Sequence, residues 1–345
     1  MSQMTEDPRI DPRIKEKFGD LPAFPLPNFD SREALVAAMN TPEALEGLNA
    51  LELFTEEEAE AVAPSQGLTI TTESFVSDPD GNTIKVLLMR PQAGGQPLPC
   101  VYYIHGGGMA IMSAFDPTYQ AWGRMIANQG VAVAMVDFRN CVVPSSALEI
   151  EPYPAGLNDC MSGLRWLISQ ADEFGIDANR IVVAGESGGG NLTLALGLRL
   201  TREGDAALVK GLYAMCPYIA GSWPRDDLPS STENNGVWLD THSNFGAMGY
   251  GMDEFDAQDP EACPLFATEE QVRGFPETVI SVNECDPLRD EGIEFYRPLL
   301  KAGQPARCRQ VMGTIHGGDN MVLSCTDLAL ALATARDMAA LCRGR

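Results

Sequence analysis

The sequence predicts an α/β protein: a mostly parallel central sheet with helices on both faces. Three observations carry that prediction. First, residues 100–104, 131–138, 181–184, Gly211–Met215 and 278–282 are short, unbroken apolar runs, the pattern of strands buried on both faces. Second, stretches of helical character lie between most of them, at 119–129, 157–174, 192–202 and 293–302. Third, Gly185-Glu186-Ser187-Gly188-Gly189 falls between one such strand and one such helix. A Gly-x-Ser-x-Gly turn in that setting holds a serine in a strained elbow, and its small neighbours let the backbone fold tightly around it.

At 345 residues the chain is long enough for one large α/β domain with an added cap. Apolar residues at 45% and charged residues at 21% describe an ordinary globular protein. A net charge of -24 and a pI near 4.4 argue against nucleic acid and anionic membrane surfaces as partners, and read as a device for solubility. The nine cysteines include no C-x-x-C pair and no Cys/His cluster at metal-ligand spacing, so no zinc site and a reducing compartment are expected. The first residues lack the basic and apolar regions of a signal peptide, and no apolar run nears the ~20 residues of a membrane span. A cytoplasmic location follows as the expectation.

Taken in order, the chain opens with a local duplication, Asp7-Pro8-Arg9-Ile10 and Asp11-Pro12-Arg13-Ile14, too short to define a repeat. Asp30 and Glu33 predict a capping box before a helix carrying Leu35, Ala38 and Met39. Thr41-Pro42 predicts the start of another through Leu45, Leu48 and Leu51. Residues 1–65 therefore form an expected N-terminal helical cap segment, and 66–345 the catalytic domain. Strand signals begin at 68–72 and 83–88, joined across the turn 78–82 as a hairpin. Residues 217–264 break the rhythm, being rich in Pro, Gly, Asp and Ser without a period. Such an insertion is usually a lid or binding loop, and it is expected to be a second cap segment above the carboxyl ends of the strands. Residues 326–341 predict a last helix.

Ser187 requires a base, and there are three histidines to choose from. His316 follows the apolar run 309–312 and precedes Gly317-Gly318 and the final helix, the right place in chain order. His242 sits in the irregular insertion, where surface or substrate contact is expected. His105 precedes the serine, the wrong order, and is assigned a structural role in holding the adjacent glycine loop. Behind the strand at 278–282, Glu284, Asp286 and Asp290 are candidates to orient the base. Asp286 is preferred for its loop position, although Asp-Pro also reads as a helix start. Asp290 and Glu291 are expected to serve the dipole of the following helix. Gly106-Gly107-Gly108 ends a strand with a backbone able to present several N–H groups to an oxyanion. A phosphate loop is the rival reading, but no Lys-Ser/Thr and no G-x-G-x-x-G spacing is present.

These motifs, with Asp137-Phe138-Arg139, Tyr153-Pro154-Ala155, Gly190-Asn191, Leu288-Arg289-Asp290-Glu291-Gly292 and His316-Gly317, together resemble the signature set of the hormone-sensitive-lipase-like carboxylesterases. The likeness runs from residue 67 to the end and is weaker in the N-terminal helices. It implies an α/β-hydrolase fold with a helical cap, neither cofactor nor metal, and short- to medium-chain carboxylic esters as small-molecule substrates. Ser187 would be nucleophile, His316 base and Asp286 its orienter. Gly107, Gly108 and Gly188 would supply the oxyanion N–H groups, with Gly106 serving the turn. Dimerisation, common among related esterases, is the one protein partner the resemblance points to. Glu186 and Gly188 depart from the Asp and Ala of many members, and 140–151 replaces a shorter stretch. A lactonase or amidase using the same residues, and a binding protein that has lost its chemistry, remain as alternatives. Met109, Ile111, Met112, Trp223, Trp238, Phe245 and Met248 are candidates for the pocket or for plain packing.

Overall fold

Among the residues described by the computed structural model (3–19, 27–49, 55–92, 95–320, 323, 325 and 329–344), eight strands pair into one sheet. They are β1 (Leu68–Val76), β2 (Thr83–Pro91), β3 (Leu98–Ile104), β4 (Ala132–Asp137), β5 (Ile176–Glu186), β6 (Gly211–Met215), β7 (Thr278–Cys285) and β8 (Ala306–Ile315), in the spatial order β1-β2-β4-β3-β5-β6-β7-β8. The hairpin β1–β2 is antiparallel, with Phe75 opposite Ile84, and β2 also runs against β4; every pairing from β4 to β8 is parallel. The mostly parallel sheet expected from the unbroken apolar runs is therefore present.

The helices are α1 (Gln3–Glu6), α2 (Pro12–Phe18), α3 (Arg32–Met39), α4 (Pro42–Asn49), α5 (Glu56–Val62), α6 (Pro117–Ala127), α7 (Ala155–Ser169), α8 (Ala171–Phe174), α9 (Gly188–Glu203), α10 (Ser230–Glu233), α11 (Phe245–Tyr250), α12 (Met252–Asp256), α13 (Arg289–Lys301) and α14 (Leu330–Arg343). Alternate residues of the inner strands β2 to β7 enter two separate cores. Cys100, Tyr102 and Ile104 of β3 pack with Leu164 of α7, Leu196 of α9 and Phe295 of α13. Val101 and Tyr103 pack with Trp122 of α6 and Met338 of α14 on the other face. A strand covered on both faces has no polar side to show, which is why these runs carry no alternation. No described helix is long and apolar enough to cross a membrane.

Several boundaries differ from expectation for local reasons. The α3 N-cap is Ser31, not Asp30: its Oγ accepts the Ala34 N–H at 3.1 Å, which puts Glu33 at the second helical position. A capping box does form, but at Thr55 and Glu58, at the start of α5. Thr41 accepts from Ala44 N–H at the head of α4 as expected, while Leu51 and Thr326 lie outside the described residues. β5 begins at Ile176, before the polar Asp177, and α9 begins at Gly188 on three glycines. Those glycines are poor helix formers, and close packing explains them. A Cβ on Gly189 would overlap the carbonyl oxygens of Ile104 and His105.

The N-terminal segment divides. Met4 of α1, Ile10 of the turn that follows, and Ile14 and Phe18 of α2 pack with Val237 and with Cys285 and Ile315, at the carboxyl ends of β7 and β8. Leu35 of α3 lies against Gly249, and Asn40 donates to the Val142 carbonyl at 2.8 Å. By contrast α5 lies on the flank, where Ala59 and Ala63 join the core beneath α6 and Arg124 donates to the Ala63 carbonyl at 2.7 Å.

Gly189→Ala is expected to cost about 3 kcal/mol or more, because β3 backbone rather than a side chain fills the space. Urea denaturation of the two proteins measures it. An unchanged midpoint would mean that β3 and α9 separate without cost.

Candidate active site

Five strand ends converge on one place. Ser187 follows β5 directly and holds φ 55° and ψ −117°, a region that non-glycine residues rarely enter. Its N–H donates to the Met215 carbonyl of β6 at 2.9 Å, and its own carbonyl accepts from Asn191 at 2.9 Å and Tyr218 at 3.1 Å. These bonds over-determine the turn and leave Oγ free to face a cavity.

The turns after β7 and β8 bring up the other two groups. His316 Nε2 lies 3.0 Å from Ser187 Oγ, and its Nδ1 lies 2.9 Å from Asp286 Oδ2. Asp286 is fully buried, and its second oxygen accepts the Leu288 N–H at 2.9 Å. The two readings of Asp286 thus hold at once, one oxygen for each. Burial disfavours a charged His316, but Asp286 more than offsets it, with Cys216 adding in the same direction, and the imidazole pKa stands well above its usual value. Asp319, which sequence reasoning passed over, fastens the turn that carries His316. It accepts from Arg309 at 2.5 Å, Thr334 at 2.7 Å and Ser281 at 2.9 Å, spanning β7, β8 and α14.

The Gly loop arrives from β3. Gly107 and Gly108 hold φ +85° and +63° and line the cavity beside Ser187. A Cβ on Gly188 would stand 2.6 Å from Met109 N and 2.7 Å from Gly108 N, so the loop's amides pass directly over the start of α9. Gly106 N–H instead turns to Glu186 Oε1 at 2.8 Å and to the Tyr119 hydroxyl at 3.0 Å. His105 is buried and stacked 4.3 Å from Phe138, with Nδ1 3.1 Å from the Gly106 carbonyl oxygen. Burial holds its pKa below the usual imidazole value, with Asp137 opposing.

Spacing along the chain gave no sign of a metal-ligand set. The fold nonetheless places ligand atoms of Cys216, Asp286 and His316 within 4.8 Å of one another. Both His316 nitrogens already have partners there, so a cation would have to displace Ser187 or Asp286.

The cavity holds about 470 Å³. Ile111, Met112, Trp238 and Phe245 line it, as do Met39, Ala44 and Leu48 of α3 and α4, Tyr119 and Tyr218. Of the other pocket candidates, Met109 is core, Met248 packs against the core, and Trp223 lies tilted against Tyr218 with ring centroids 4.3 Å apart and donates to Glu291 at 2.7 Å. His242 is exposed, its Nε2 2.8 Å from the Ser231 carbonyl oxygen. Glu291 stands in the first turn of α13 as expected, and it is also a buried acceptor for Ile219 N–H, Ala220 N–H and Trp223 Nε1–H. Burial pushes its carboxyl up to about 8 against the pull of those donors. Asp290 accepts Ser230 N–H at 2.7 Å, and Asn234 donates to the Asp286 carbonyl at 3.0 Å. The first third of the insertion is thus stapled to the turn that carries Asp286.

The model of an alpha/beta hydrolase fold family matches residues 101–319. A carboxylesterase of Mycobacterium tuberculosis, NlhH, is 33% identical over 270 residues, covering 76% of this chain and 80% of its own. The structure of the esterase Est22 superposes with a TM-score of 0.96 at 55% identity and full coverage of both chains. Brefeldin A esterase, a bacterial homologue of human hormone-sensitive lipase, superposes at 0.83 with 32% identity, covering 99% of this chain and 96% of that one.

Glu291→Ala strands three N–H donors, and a stranded buried donor costs about 1–3 kcal/mol. A lower thermal midpoint and faster proteolytic cleavage between 217 and 234 are expected, read by calorimetry and by mapping the fragments. Unchanged cleavage would mean that the segment is held by its other bonds alone.

Proposed function

Because this chain belongs to the α/β-hydrolase family and is a carboxylic ester hydrolase related to hormone-sensitive lipase, we propose that Ser187, His316 and Asp286 carry out its reaction by acyl transfer. The observation that carries the reading is the unbroken line Asp286–His316–Ser187, at 2.9 and 3.0 Å, opening on an apolar cavity. Ser187 Oγ attacks the ester carbonyl carbon while its proton passes to His316 Nε2. Asp286 holds Nδ1–H and stabilises the imidazolium that forms. The N–H groups of Gly107, Gly108 and Gly188 receive the oxyanion. His316 then gives the proton to the departing alkoxide, leaving acyl-Ser187. Water repeats the sequence, losing its proton to Nε2, and releases the acid. His105 and Gly106 support the loop rather than touch substrate.

The cavity supports small neutral esters. It is in the lower half of the usual ~300–1,000 Å³ range, and among the described residues of its wall there is no lysine or arginine to pair with an anionic substrate. Short to medium acyl chains fit that size. Aryl esters are favoured as probes, since Est22 has been solved with p-nitrophenol. Lactone cleavage by the same residues is the second reading, favoured by the likeness to brefeldin A esterase. Of the expected cap segments 1–65 and 217–264, α3, α4 and 238–246 supply the cavity wall beside Ser187, whereas α5 lies on the flank of the sheet and does not act as cap.

Ser187→Ala is expected to lower kcat on aryl esters by ~10⁴ or more while the protein stays folded. Across acetate to decanoate, kcat/KM should peak at short or medium length and drop for a succinyl half-ester. Residual activity of Ser187→Ala within tenfold of wild type would rule out this nucleophile.

The base works only when neutral, so activity disappears as pH falls through the His316 pKa. Since Asp286 holds that value up, the acid limb of kcat/KM should lie above the ~6.5 of a free imidazole, and Asp286→Asn should move it down and lower kcat. A pH–rate profile of both proteins decides this; a limb that stays in place in the variant would separate Asp286 from the base.

A further inference from the structure

Glu186 stands immediately before Ser187 and is only 2% exposed, yet among the described residues its side-chain partners are all neutral. Oε1 accepts from the Tyr119 hydroxyl at 2.5 Å and from Gly106 N–H at 2.8 Å, and Oε2 accepts from the Tyr103 hydroxyl. A buried carboxylate without a cation is costly, so its donors must be placed well for the fold to keep it. Burial raises its pKa, and the two tyrosine hydroxyls pull it back down.

Its position relative to the Gly loop is what matters. A Cβ on Gly106 would stand 2.5 Å from Glu186 Oε1 and 3.0 Å from the Tyr119 oxygen, so the loop rests directly on the carboxylate. The two residues that follow, Gly107 and Gly108, reverse the backbone through positive φ and border the cavity. Whatever anchors the Gly106 amide therefore sets the direction in which the next amides point. Tyr103 comes from β3 and Tyr119 from α6, so the carboxylate also ties three elements to the base of the loop.

We propose that Glu186 is a positioning residue for ester hydrolysis: it captures the Gly106 N–H and thereby aims the Gly107 and Gly108 N–H groups at the oxyanion. This rests on the oxyanion reading given above. A carboxylate suits the task because it only accepts, and it can take all three donors at once. A glutamine presents an NH₂ group to one of them, and its neutral oxygen holds the amide less strongly.

Kinetics on an aryl acetate and inactivation by an aryl methylphosphonate, whose phosphoryl oxygen occupies the oxyanion position, test the assignment. Glu186→Gln should lower kcat about tenfold and Glu186→Ala about 10²-fold, near the loss of one oxyanion donor, with KM within about twofold. The phosphonylation rate should fall in parallel. Tyr103→Phe removes one donor to the carboxylate but leaves the Gly106 bond, and should lower kcat about three- to tenfold at constant KM. It carries the test should the Glu186 variants fail to fold. If wild type is labelled at Ser187 while the folded variants keep kcat and labelling rate within twofold, the assignment is overturned and the nucleophile stands. If KM rises as kcat falls, the carboxylate serves substrate binding and the assignment is likewise overturned. A wild type not labelled at Ser187 overturns the underlying reading and this one with it.

Discussion

The carboxyl edge of the sheet depends on how closely β3, β5 and the first turn of α9 approach one another. Ser187 adopts a backbone conformation worth roughly 1–3 kcal/mol of strain, and such strain persists only where the surroundings leave no alternative. Here Gly189 lies against the Ile104 and His105 carbonyls, and Gly188 lies against the amides of Gly108 and Met109. The serine and the loop amides therefore belong to one packing unit. Their separation is set by contact between backbones, which cannot adjust as side chains do.

A second theme is the work of buried carboxylates as acceptors. Where strands end, the chain leaves N–H groups without ladder partners, and each needs an acceptor or water. Asp286 serves Leu288 with one oxygen and His316 with the other. Asp319 holds the turn behind His316, Glu291 and the half-buried Asp290 hold the foot of the insertion, and Glu186 holds Gly106. The acidity of the chain is thus not only a surface property: part of it is used inside, at the end of the sheet where the candidate site sits.

Much of this was legible in the sequence. The unbroken strands declared a sheet covered on both faces, and the order Ser187, Asp286, His316 brought the candidate residues out before any coordinates. Errors arose where neighbouring residues compete for one role. Ser31 displaced Asp30 as cap because the helix begins one residue later. Glu291 does stand in the first turn of α13, where an acid suits the dipole, but its position along the chain carries no sign that the helix turns it inward beneath 219–223. For Trp223 the sequence left pocket and packing both open, and the structure gives packing, against Tyr218 and Glu291.

By itself the sequence determined the fold class, the strand order along the chain and the residue types of the site. Periodicity, glycine placement and chain order are local properties, and a local signal survives in one dimension. The tertiary structure alone decided which donors meet which carboxylates, that Cys216 stands beside His316, and that Met39, Ala44 and Leu48 cover Ser187. Those pairings join separate segments of the chain, 80 positions apart for Gly106 and Glu186, and geometry between distant segments leaves no periodic trace in the chain that makes it.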